Sequence, residues 1–117
     1  MKLLNMIKPA ALSLTLIASS ALAAQGSITI TSPANGAILQ SNALNKLDFN
    51  VKLSPNGNHL HIYIDDGNPI IDRDIGHCPC SIDLPKLSPG KHVIAVKEAT
   101  ASHALTGVEG TVTVISQ

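Results

Sequence analysis

Aromatic side chains are almost missing: Phe49 and Tyr63 are the only two, and there is no tryptophan. That scarcity excludes the stacking platforms on which sugar rings or single-stranded nucleic acid bind. Charge is sparse and balanced, eight Lys and Arg against eight Asp and Glu, so neither nucleic acid nor an anionic membrane surface is expected as a partner. Cysteine occurs only as Cys78 and Cys80, too few for a disulfide framework. No Gly-rich phosphate loop, zinc-protease His-Glu motif or Gly-x-Ser-x-Gly elbow is found, and nothing points to an enzyme.

The one long apolar run opens the chain. In "MKLLNMIKPAALSLTLIASSALAAQG", Lys2 and Lys8 precede an apolar stretch from Pro9 to Ala18, and the small-residue box Ala21-Leu22-Ala23 follows. This order predicts a secretory signal peptide over residues 1–23. The run is short and no stop-transfer charges follow, so no membrane-inserted segment is expected after cleavage. The product is predicted to be periplasmic or secreted, with residues 24–117 as one domain of about 94 residues. A chain of that size buries one modest core.

Past residue 26 the apolar residues alternate with polar ones in short runs bounded by Gly, Pro, Asn and Asp, the pattern of an all-β protein. In "KLDFNVKL" (46–53), Leu47, Phe49, Val51 and Leu53 make one face. In "HLHIYID" (59–65), Leu60, Ile62 and Ile64 point inward while His59, His61, Tyr63 and Asp65 share the opposite face. "DDGN" (65–68) reads as a hairpin turn rather than a calcium loop, because it lacks alternating oxygen ligands. Further strands fall at 27–32, 37–40, 69–73, 80–84, 91–98 and 108–116. Seven or eight strands at this spacing predict an antiparallel β-sandwich.

"ITSPANGAIL" (30–39) and "LSPGKHVIAV" (87–96) resemble the first strands and the E–F corner of exported bacterial immunoglobulin-like and fibronectin-III-like domains. The resemblance implies an Ig-like antiparallel β-sandwich. It also implies a structural role for His92, which stands where such domains often carry a corner tyrosine, with a ring nitrogen bonding the backbone of the corner. No core tryptophan and no widely spaced cysteine pair are present, which sets the chain apart from antibody domains. The fold hosts many unrelated tasks, so function has to come from particular residues.

Strand alternation assigns each strand end to one of two poles. The pole at which "HLHIYID" begins also receives His77, Cys78 and Cys80 and the loop carrying His103, so His59, His61, His77, Cys78, Cys80 and His103 are expected to converge there. His59 and His61, two apart on a strand, point the same way and can grip one ion. Imidazole with thiolate suits copper, or zinc, whereas calcium and magnesium require oxygen ligands. Cys78 and Cys80 have three readings: a chelating pair, a redox couple, or a local disulfide that pins the loop. Arg73 and Asp74 read as solvated charges. The expected function is transition-metal binding, with copper or zinc as the ion. The alternative is a non-catalytic interaction module of the cell envelope, docking on an envelope protein, with a Cys78–Cys80 disulfide.

Overall fold

The computed structural model of the protein describes residues 26–76 and 78–117, so the expected signal peptide over 1–23 and the candidate ligand His77 lie outside the described residues. Eight strands form: β1 (Ser27–Ser32), β2 (Ala37–Leu39), β3 (Asn45–Lys52), β4 (His59–Ile64), β5 (Ile70–Asp72), β6 (Cys80–Leu84), β7 (Gly90–Ala99) and β8 (Leu105–Ser116). They make two sheets, one ordered β1-β3-β6 and the other β2-β8-β7-β4-β5. All pairings are antiparallel except β2 with β8, where Ala37, Ile38 and Leu39 run parallel to Val114, Ile115 and Ser116. The all-β sandwich predicted from alternation is therefore present. Among the described residues no helix is long and apolar enough to cross a membrane.

Alternation also picks the core. Leu47 and Phe49 of β3, Leu60 and Ile62 of β4, Ile94 and Val96 of β7 and Val114 of β8 are fully buried between the sheets. Burying side chains of this size contributes about 1.5–3 kcal/mol each, the main favourable term in so small a domain. The last strand starts three residues earlier than its pattern suggests, because a bulge after Lys97 lets Ala99 pair with Leu105. A Cβ at Gly110 would lie 2.8 Å from the Ile28 carbonyl oxygen, so a glycine here lets β8 approach β1 and close one side of the sandwich.

At the pole opposite the expected site, β4 and β5 are joined by a turn closed by Gly67 N–H donating to the Ile64 carbonyl at 3.0 Å. Asp65 and Asp66 take positive φ, 54° and 60°, one residue earlier than the Asp-Gly pair would suggest. Short acidic side chains tolerate this conformation, and here Asp65 is put to use. Its carboxylate accepts the Val93 N–H at 2.8 Å and pairs with His92 Nδ1. His92 Nε2 meets the Ser88 carbonyl at 2.6 Å, which is the corner bond that the resemblance implies.

Both acceptors around His92 lack a proton to give, so the ring must donate from both nitrogens and is an imidazolium. The Asp65 hydrogen bond and the Ser88 carbonyl accordingly hold the His92 pKa above its ordinary 6.5, against the opposing pull of burial. The Val93 N–H, with His92, holds Asp65 below the usual carboxylate range. A raised histidine pKa contributes stability that is complete below the unfolded value and is lost as pH rises through the folded one. Denaturant midpoints are expected to fall as pH rises above 6.5, and His92→Phe should remove that slope; because Asp65 loses its partner too, the variant should also fall less in stability as pH drops through the carboxylate range. A slope that persists in the variant would refute this.

Candidate metal centre

The β4 strand lays His59 and His61 side by side on the face away from the core, and the β7–β8 loop folds His103 over them. The loop is short and self-bonded: Thr100 N–H donates to Ala104 O at 2.8 Å and His103 N–H to Thr100 O at 2.9 Å. It holds His103 at φ 71°, a left-handed conformation that a non-glycine residue adopts at some cost. His59 Nε2 then lies 3.0 Å from His61 Nε2 and 3.1 Å from His103 Nδ1, and the last two are 3.3 Å apart. Metal–nitrogen bonds of about 2.0–2.1 Å in tetrahedral geometry put neighbouring nitrogens about 3.3 Å apart. Three nitrogens here match one face of such a coordination shell.

Each buried ring also has an outer partner. Asn58 Oδ1 lies 2.9 Å from His59 Nδ1, and since an amide oxygen only accepts, Nδ1 carries the proton and Nε2 presents its lone pair inward. Tyr63 Oη, a hydroxyl that can donate or accept, lies 3.2 Å from His61 Nδ1 as its outer partner. His59 is 0 % and His61 6 % exposed, whereas His103 faces solvent. Burial, followed by the positive charge of Arg73 and the neighbouring imidazole of His103, holds His59 below its ordinary pKa; burial, then His103 and Arg73, does the same for His61. Both rings are therefore neutral at pH 7. Neutral rings packed this closely can share an N–H···N hydrogen bond, or can turn their lone pairs together onto a cation.

Cys78 and Cys80 need a correction as ligands. The structure joins them to each other in a disulfide, which leaves no thiolate to bind an ion. Cys80, at the head of β6, is packed in the core cluster, with Cys78 against it. The bridge is the bond that both alternatives to chelation call for, a loop-pinning disulfide or the oxidised form of a redox couple. Closing so short a loop contributes at most about 1.5 kcal/mol. The double variant Cys78→Ser/Cys80→Ser is therefore expected to be slightly less stable but to bind metal within twofold of the parent. A large loss of affinity on metal titration would return the sulfurs to the ligand set.

Three contributors escaped sequence reasoning. Asn58 reads as a turn residue and Tyr63 as a strand residue, and only the distances reveal them as partners of the histidines. The i, i+2 spacing from His61 to Tyr63 was the one available hint. Arg73 reads as a solvated charge, yet its field reaches both buried rings.

No family model matches the chain, and no curated protein matches it in sequence. Solved structures do match. The fibronectin(III)-like modules of Clostridium thermocellum CbhA superpose with a TM-score of 0.59 at 17 % identity, covering 77 % of this chain and 95 % of the module. The fold is immunoglobulin-like, of the fibronectin-III type. A superoxide reductase (neelaredoxin) variant from Ignicoccus hospitalis matches with a TM-score of 0.52 at 16 % identity, over 80 % of this chain and 83 % of that one. At these identities the likeness of this fibronectin-III-like sandwich to either protein is one of fold.

Proposed function

We propose that this fibronectin-III-like sandwich is a metal-binding protein that holds a transition-metal ion through His59 Nε2, His61 Nε2 and His103 Nδ1. The observation that carries the reading is the convergence of three ring nitrogens at 3.0–3.3 Å, two of them on buried rings. An all-imidazole set suits copper(II) first and zinc(II) second, following the ordinary affinity order of divalent ions. With the sulfurs bonded to each other, preference for copper(I) is not expected. The protein acts outside the cytoplasm, sequestering or delivering the ion rather than catalysing a reaction. The leader-like first 23 residues and the disulfide support an oxidising compartment.

The test is a titration of the purified protein with Cu(II) and with Zn(II) against a competing chelator of known affinity. Submicromolar binding of one ion per chain is expected, with a rise in thermal midpoint, since a ligand at a hundred times its Kd stabilises the native state by about 2.7 kcal/mol. Binding no tighter than micromolar for both ions sinks the reading. In that event the envelope interaction module becomes the better account. It draws support from Ile38, Ile115 and Val93, all exposed on the sheet that contains β8 and β7.

A further inference from the structure

The surroundings of the three histidines are oddly basic for a cation site. Antiparallel pairing sets Leu60 opposite Asp72 and His61 opposite Ile71, so the next position, Arg73, falls opposite His59. Asp72 and Asp74 line a cleft on the other side with Pro79, Cys80, Ser81 and Ile82 of the facing sheet. Alternation thus places Arg73, which is exposed, on the histidine face. On the other flank Lys97 stands opposite His61, its ammonium 5.3 Å from the centre of the Tyr63 ring and 3.9 Å from Glu109.

Among the described residues, the group whose ligand atoms converge is His59, His61 and His103, with no carboxylate in it. A divalent ion on three neutral imidazoles beside a guanidinium concentrates three positive charges, and its ligand set holds no carboxylate to offset them. Three protein ligands also leave a four-coordinate ion one open position. A guanidinium presents a planar fork of donors that matches the O–C–O geometry of a carboxylate.

Resting on the metal reading above, we propose that the open position takes a small carboxylate-type oxyanion, a carboxylate or bicarbonate, held between the ion and Arg73. The protein then binds its ion and anion together, each strengthening the other by charge compensation. Loss of the anion leaves the ion beside an uncompensated guanidinium, which favours release.

The test uses the protein loaded with Co(II), whose visible bands report its ligands, and adds acetate in one series and bicarbonate in another. Saturable spectral change is expected with at least one anion, and the stronger responder identifies the source. Arg73→Gln should weaken that anion about tenfold, the loss of one charge-assisted contact, while Co(II) binds more tightly in anion-free buffer, where the guanidinium only repels it. Arg73→Lys should fall between the two, keeping charge but losing the fork. If Co(II) binds but neither anion alters the spectrum, or Arg73→Gln responds like the parent, the anion site is overturned and the metal site stands. If Co(II), Cu(II) and Zn(II) all fail to bind, the metal reading falls and takes the anion with it.

Discussion

His59→Ala is expected to lower Cu(II) affinity by more than about a hundredfold, beyond the 10–100-fold typical of losing an outer partner. The ring supplies the nitrogen nearest to both others, 3.0 Å from His61 and 3.1 Å from His103, so its removal leaves two ligands that no longer define a coordination face. Because His59 is fully buried, its truncation also opens a cavity, and a folding defect would mimic lost binding. His103→Ala separates the two effects: that side chain is exposed, so the variant should fold normally and still lose affinity by a similar factor. Asn58→Ala should cost about tenfold, by freeing the His59 tautomer. His92→Ala, at the opposite pole, should bind as the parent does. Competition titrations that leave His103→Ala within threefold of the parent would defeat the proposed ligand set.

The same site has a defined pH response. Protons compete with the ion for the ring nitrogens, and burial keeps the affinity of His59 and His61 for protons low. Affinity for Cu(II) should therefore be flat above about pH 6.5 and decline only in acid. The apo protein follows the same sign: a histidine whose folded pKa is depressed stabilises the fold above its unfolded pKa and stops doing so as pH falls through the folded one. His59 and His61 thus erode stability on the acid side of 6.5, and His92 erodes it on the alkaline side.

Strand positions were legible because period-two alternation is a local property of the chain, and Leu47, Phe49, Leu60 and Ile62 occupy the core it predicts. Strand polarity alone also brought His103 to the pole of His59, across 44 residues of sequence. What alternation does not carry is distance within a pole. It placed Cys78 and Cys80 beside the histidines but did not choose between an ion and a bond to each other, which depends on the local path through Pro79. It put His59 and His61 on the face opposite the core but did not show that the loop carrying His103 buries that face. The roles of Arg73 and Asn58 depend on side-chain reach from neighbouring segments, which no spacing rule encodes.

Glu98 is expected to give the largest stability effect outside the apolar core. In "KHVIAVKE" it closes the strand on the same face as Ile94 and Val96. Pairing with Leu60 sets it inside the sandwich, where it is 0 % exposed. Its carboxylate accepts the Ser54 N–H at 2.8 Å and the hydroxyls of Ser54 and Thr106. Burial pushes its pKa up, but the three hydrogen bonds outweigh that and hold it below the ordinary carboxylate value. Glu98→Ala should destabilise the fold by about 3 kcal/mol, because it strips a buried acceptor from three donors at once. Glu98→Gln should be milder, since its oxygen can keep the Ser54 N–H while both hydroxyls turn to accept from its amide. A depressed carboxylate pKa contributes stability above the unfolded value that is lost as pH falls through the folded one, so both variants should also flatten the acid limb of the stability profile below about pH 4.5. Gly57 supplies an internal control. A Cβ there would collide with the Glu98 carboxylate, so Gly57→Ala should be strongly destabilising in the parent and nearly harmless in Glu98→Ala. The turn that Glu98 anchors runs directly into Asn58, whose N–H donates to Ala99 O at 2.9 Å, and then into His59. Glu98→Ala should consequently weaken Cu(II) binding as well, by less than His59→Ala does. Additive losses in the Gly57–Glu98 cycle, measured by urea unfolding, would show that the carboxylate does not fill the space above Gly57.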